Sequence, residues 1–576
     1  MAPPARQSLF QAGVLCALGL AVGTLASLAA IGFVEAIERL NALLLIAPHA
    51  RIQHEDSPDL VRAATVLVPA AGGLAVGLIA RYGIVERRAL GPPDAILAVQ
   101  TGGAPPSIRS GLASTLAAMV SLGAGASVGQ YGPLVYLGSL IGQAMSRFRL
   151  GLPEVRSVAI ACGVAAAIST AFNAPIAGIV FAHEVVLRHY ALRAFAAITV
   201  ASAVGHVLAS VVFGLPPLFL VRFDGVEHGY EFALFAGVGF LGALIAVAFM
   251  RLLGTSARLA GRLPGPSFLR PCLAGLLLGL VALELPEVLG IGKEALRFAT
   301  IAGAFSMGEL GTLVLAKILM TAMCVGFGFV GGVFSPALLI GTLFGAFVGL
   351  GLEMAAPGQI SGLPVYAICG MTAVFSPVIG APLTAILIVF ELTRSYDLTI
   401  AAMVAVVFSN LTATRLFGGS LFDRQLAGRG FDLALGRDRA ILMNRRVLDL
   451  AEGDVPRVDP AEPLGGALAR LAAAGRSEAP AVDASGRFHG ILRADAGRDR
   501  GTDARVADVL TAAALIFDET TSIWQALERL RGFVGEIAVV VDGEDGRYLG
   551  AVSEGTVISA YLETVQRLRR EEHASI

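Results

Sequence analysis

The run Gly125-Ala126-Ser127-Val128-Gly129-Gln130-Tyr131-Gly132-Pro133 offers two quite different chemistries. Its GxSxG core has the spacing of a sharp turn that presents a serine nucleophile. Such a serine needs an activating histidine reached from a wet pocket. The candidates, His183 and His189, flank Glu184 at a spacing that is not HExxH, so neither a hydrolase nor a zinc protease is supported. The second chemistry needs no reactive side chain. A helix starting at Gly132-Pro133 bares unpaired backbone N–H groups and carries about half a positive charge at its N-terminus, which attracts an anion without lysine or arginine. The balance falls on anion binding. Two further runs have the same form, small residues and then proline near a helix start: Gly331-Gly332-Val333-Phe334-Ser335-Pro336 and Thr101-Gly102-Gly103-Ala104-Pro105-Pro106.

The elements that must hold these runs lie in a membrane. Of 576 residues 55% are hydrophobic and only 15% charged, with 69 glycines and one tryptophan. A soluble chain carries roughly a quarter charged residues, whereas small residues with sparse charge suit closely packed transmembrane helices. The formal net charge of −1 and the absence of a basic tract give no reason to expect nucleic acid. The five cysteines (Cys16, Cys162, Cys272, Cys324, Cys369) form no CxxC pair and stand beside no histidine at metal spacing. They read as small buried hydrophobes, and no metal is expected.

An apolar run from Leu9 to Val34 exceeds the about 20 residues needed to span a bilayer and reads as a retained first helix. Phe232–Met250 reads as a single span. Ile318–Leu352 is uncharged, too long for one helix, and cut by Gly331-Gly332 and Pro336, so it reads as two segments meeting inside the membrane. Broken helices survive in lipid only where the freed backbone is buried in protein or lines a cavity.

The chain also repeats. Cys162-Gly163, Ala174-Pro175 and Glu184 recur as Cys369-Gly370, Ala381-Pro382 and Glu391, all at an offset of 207. Pro133, Gly138 and Gly142 recur as Pro336, Gly341 and Gly345 at an offset of 203. Duplicated halves with broken helices at matching places point to a transport site between the halves. The expected membrane domain covers 1–436, with repeats at roughly 60–220 and 232–425. Charge returns after Gly436, and 437–576 reads as two small α/β units at roughly 447–500 and 505–563. Each is a helix, a buried strand, a turn and a strand, and the pair resembles tandem CBS domains.

GxSxGxxGP, GxFxP and the run from Ala381 to Thr393 resemble signatures of the CLC chloride channel and transporter family over about residues 60–425. The resemblance implies an all-α polytopic fold built from an inverted repeat of broken helices, followed by a cytosolic CBS pair. It implies a homodimer in the cell (inner) membrane, each subunit with its own pore, and a transporter rather than an enzyme. By match, anion-binding donors come from Tyr131, Gly132, Val333, Phe334 and the Gly102-Gly103 loop. The family's gating glutamate falls at Tyr131, its inner proton glutamate at Val185, its pore serine at Gly102 and its pore tyrosine at Phe422. None of these four keeps the family residue. A phenol titrates near about 10 and is neutral at physiological pH, so Tyr131 can donate a hydrogen bond or obstruct the path but cannot carry the gate's charge.

Passive conduction of chloride or another small anion, or uncoupled transport, is therefore expected. An anion/proton antiporter relaying through Glu184, His183 or Glu391 is the first alternative. A non-conducting membrane sensor reading a ligand through its CBS pair is the second. Nucleotide-binding CBS units carry Ser/Thr with Asp three residues on. The first unit offers Arg493 and Ala496 and the second Ser553 and Thr556, so adenine nucleotide is a minor expectation and no other cofactor is expected.

Overall fold

The computed structural model describes residues 5–54, 56–101, 106–148, 155–214, 218–219, 225–433, 436–453, 455–496 and 504–572. The chain divides into two compact units, Met1–Gln425 and Leu426–His573.

The first unit is helical. Among the described residues, eight helices are long and apolar enough to cross a membrane. The N-terminal run forms a helix over Ala5–Leu43, and the span read at Phe232–Met250 extends over Glu231–Arg262. The uncharged stretch from Ile318 breaks as expected, into Met307–Gly326 and Phe334–Ala355. Gly328, in the break, has φ +105°, a backbone that only glycine adopts without strain.

Glycines spaced four apart let these helices touch backbone to backbone. Tyr131–Met145 packs on Val155–Phe172, and a Cβ added at Gly138 or Gly142 would stand 2.2 Å from the Gly163 carbonyl oxygen or 2.1 Å from that of Ala159. Phe334–Ala355 packs on Leu363–Ile379 in the same way, where a Cβ at Gly341 or Gly345 would stand 2.5 Å from Gly370 O or 2.1 Å from Tyr366 O. The two sequence offsets are thus one structural unit built twice. The halves meet at an antiparallel bridge between Gly129 and Gly332. No side chain larger than hydrogen fits these crossings, which explains why packing in lipid selects glycine there.

The second unit repeats a smaller motif. The Glu478–Val482 strand pairs antiparallel with Phe488–Arg493. Ile516–Asp518, Ala538–Val541 and Tyr548–Val552 form a three-stranded sheet. The two hairpins join reciprocally, Phe488 N donating to Gly546 O at 3.2 Å and Tyr548 N to Gly486 O at 2.9 Å. Val447, upstream of both hairpins, is buried in the core with Phe517, Ile523 and Val540.

Candidate functional site

Two helix starts come together where the repeats meet. Gly129 N donates to Gly332 O at 2.6 Å, and Gly332 N donates back to Gly129 O at 2.7 Å. These are equivalent residues, since Gly332 is Gly129 shifted by the 203-residue offset. Gln130 N donates to Ser335 Oγ at 3.3 Å. A Cβ on Gly132 would lie 2.9 Å from Gly332 Cα, so the two backbones are in van der Waals contact. The helices that begin here are Tyr131–Met145 and Phe334–Ala355, with Val333 the N-cap of the second.

Neither start is neutralised. Neither carries an acidic residue in its first turn nor a side-chain cap. Among the described residues, the N–H groups of Tyr131, Gly132, Val333 and Phe334 meet no acceptor within the protein. The other broken pair is treated the opposite way. Glu391 accepts from Ile176 N at 2.9 Å and Ala177 N at 2.8 Å, at the start of Pro175–Phe181. Glu184 accepts from Leu383 N at 2.8 Å, Thr384 N at 2.9 Å and Thr384 Oγ1 at 2.7 Å, at the start of Pro382–Thr393. Carboxylates at helix N-termini satisfy orphan donors and the dipole together. The fold fills two of these four ends with its own anions and leaves the other two open.

Aromatic rings line the open pair. Phe334 is the hub, with ring centroids 5.4 Å from Phe375, 5.6 Å from Phe181, 6.2 Å from Phe422 and 6.4 Å from Tyr131. Tyr131 stacks on Phe172 at 4.0 Å. Tyr131, Phe334 and Phe422 are all buried. Phe334 meets Phe375, Phe181 and Tyr131 in edge-to-face contacts.

Gly102 and Gly103 lie outside the described residues. The described helix just before them runs Pro92–Gln100 and ends at its C-cap, Thr101. Its N-terminus is what reaches the site: Pro92 Cγ lies 3.8 Å from where a Gly132 Cβ would be. Asp94 closes that start through Gly91 N at 2.9 Å and pairs with Arg88 at 2.7 Å. The signal was present as proline at the first helical position with an acid in the first turn.

Val185 is buried in a π-helical turn over Ala182–Leu187, and Gln100 Nε2 donates to Val186 O at 2.7 Å and Leu187 O at 2.8 Å. His183, in the same turn, is fully buried; its Nδ1 lies 2.9 Å from His189 O, while its Nε2 has no partner among the described residues. Sequence reasoning passed over Lys317. It is buried in the Met307–Gly326 helix and donates to Val288 O at 2.9 Å and Gly290 O at 2.8 Å. Gly290 N in turn donates to Gly125 O at 2.9 Å, and one helical turn from Lys317 the Thr321 hydroxyl meets Ser127 Oγ at 3.1 Å. Ser127, the would-be nucleophile, is thus a structural hydroxyl behind the loop.

Comparison with known proteins identifies the family and the fold. The family model for the voltage gated chloride channel matches residues 60–414, and that for the CBS domain matches 506–563. A putative chloride channel protein, ClcB-like, of Ralstonia nicotianae is 30% identical over 410 residues, covering 70% of this chain and 95% of that protein. An H(+)/Cl(-) exchange transporter, ClcA, of Vibrio cholerae is 31% identical over 320 residues, 54% of this chain and 68% of that one. Among solved structures, a slow cyanobacterial Cl-/H+ antiporter superposes with TM-score 0.66 at 24% identity over 72% of this chain and 97% of its own. A CLC-type fluoride/proton antiporter gives 0.59 at 20% identity over 71% and 97%. At those identities the structures speak to the fold.

Proposed function

The chain belongs to the voltage gated chloride channel family, and from that premise we propose that it carries chloride or another small anion through the membrane passively, without obligatory proton exchange. The observation that carries this reading is the pair of uncapped helix starts with Tyr131, a neutral phenol, at their junction. Four backbone N–H groups and aromatic edges can replace part of an anion's hydration shell while adding no full countercharge, which favours release as well as entry. The partial charges are fixed by the fold, so none of them titrates.

Two features argue against a carboxylate proton relay. The position that faces the anion path at Tyr131 cannot take up and give back a proton near neutral pH. Glu184 and Glu391 are each committed to two backbone N–H groups, and moving either would leave those donors bare in the membrane. Proton exchange is the second reading, favoured by one observation, the unpartnered Nε2 of buried His183 beside Val185.

The protein acts as a homodimer in the cell (inner) membrane, with residues 437–576 as a cytoplasmic CBS pair that packs or gates rather than binds nucleotide; Gly102 and Gly103 are proposed as further anion donors on the sequence match alone. The test is purified protein in liposomes loaded with chloride, with external chloride and pH recorded together and the anion replaced in turn by nitrate, bicarbonate and fluoride. Chloride efflux at constant pH supports the proposal. Proton movement against its gradient, abolished by His183→Leu, establishes the second reading instead.

A further inference from the structure

Phe422 reaches Phe334 from a short helix, Leu421–Ala427, and the residue that fixes this helix is its neighbour Asp423. One carboxylate oxygen of Asp423 accepts from Ser420 N at 3.0 Å and Ser420 Oγ at 2.7 Å, while Asp423 N donates to Ser420 Oγ at 3.2 Å. This closes the turn that begins the helix. The other oxygen takes Arg188 at 2.5 Å, across 235 residues of sequence. Arg188 has φ +57° and immediately follows the π-helical turn that carries His183 and Val185. Both partners are about three-quarters buried, with side-chain exposures of 28% and 27%. Gly380, at φ +77°, presses on the same turn, where an added Cβ would stand 2.7 Å from Ser420 Oγ.

A left-handed arginine at the end of a π-helical turn is two departures from regular helix at one place, and such departures cluster at functional positions. The ion pair joins this turn to the helix bearing Phe422. The two carboxylate oxygens have separate tasks, one at Ser420 and one at Arg188, and the residue just before Asp423 is the ring on Phe334. We infer that Asp423 and Arg188 are positioning residues for anion passage: their ion pair sets the placement of the Phe422 ring and so the width of the path beside Phe334.

The inference rests on Phe422 bordering the anion path, as proposed above. The test uses the full-length protein in liposomes and reads the rate of chloride efflux and its ratio to nitrate efflux. Asp423→Asn and Arg188→Met are each expected to change the ratio severalfold in the same direction. The double variant should match either single one, and the exchanged pair Arg188→Asp with Asp423→Arg should return toward the starting ratio. In a Phe422→Ala background, Asp423→Asn should change nothing further. A structural role alone would lower thermal stability in every variant without moving the ratio. If Phe422→Ala shifts the ratio and Asp423→Asn does not, the inference is overturned. If Phe422→Ala itself shifts neither rate nor ratio, the premise about the path is what fails.

Discussion

Glu184 and Glu391, equivalent residues of two inverted repeats, each cap the helix that leads to the other. Each carboxylate lies beyond the start of its own short helix and closes the start of its counterpart, so the two helices run antiparallel and lock at both ends. That arrangement separates the helix starts the protein closes with its own carboxylates from the two it leaves uncapped.

Removing either lock is costly. Glu184→Gln and Glu391→Gln each keep one acceptor oxygen and lose the charge and the second. Each is expected to lower stability by about 1–2 kcal/mol, the scale of a lost N-terminal cap. Thermal midpoints in detergent measure this. On the proposed reading neither carboxylate is a carrier, so proton uptake during chloride efflux should remain absent in both variants.

On the proposed reading, Tyr131 acts on access and not on charge. Tyr131→Ala removes a ring stacked at 4.0 Å on Phe172 and should raise efflux severalfold. Tyr131→Glu installs a group with an ordinary value of about 4.3, so efflux should become pH-dependent and rise in acid, where the side chain is neutral and leaves the anion site. The unsubstituted protein should show no such dependence between pH 5 and 8, to within about the error of a flux assay, because the phenol stays protonated there.

The helix crossings predict a sharp contrast among glycines. Gly163→Ala forces a Cβ to 2.0 Å from Gly138 O and should cost roughly 1–3 kcal/mol or abolish folding. Gly237→Ala meets nothing within 4 Å and should be neutral or stabilising by up to about 1 kcal/mol. Yield and thermal midpoint of the two variants give the comparison.

The second unit carries its own pH signature. Burial would raise the carboxyl of Glu452, but hydrogen bonds from Thr556, Ser553 and Arg476 outweigh it and hold the group down to about 2 from its ordinary 4.5. A depressed carboxyl stabilises the fold fully above its unfolded value. That contribution fades as pH falls from about 4.5 towards about 2, and Glu452→Gln should lack this fall. Trp524 is the one tryptophan of the chain and lies in this unit, so its fluorescence follows unfolding of the unit in the intact protein.

Much of this is legible in the amino-acid sequence alone. Glycine before proline marked the starts at Tyr131 and Phe334 because open helix ends need bare backbone, and the 207-residue offset paired Glu184 with Glu391 as structural residues. The third helix start at the site, Pro92, was passed over for the glycine-proline run ten residues on, which stands before the next helix, Ile108–Gly123. Lys317 left no readable trace, since its partners are the carbonyls of Val288 and Gly290 and carbonyls have no sequence signature. Phe172, Phe181 and Phe375 are three of thirty phenylalanines, and only the fold reveals which rings converge.

The most direct measurement is the anomalous signal of bromide in crystals of the protein. The account predicts a peak within hydrogen-bonding distance of the backbone N–H groups at Tyr131-Gly132 or Val333-Phe334, bordered by the Phe334 and Phe422 rings, and displaced or doubled in occupancy by Tyr131→Ala. Bromide bound elsewhere in the membrane unit, with both of those helix starts empty, would contradict it.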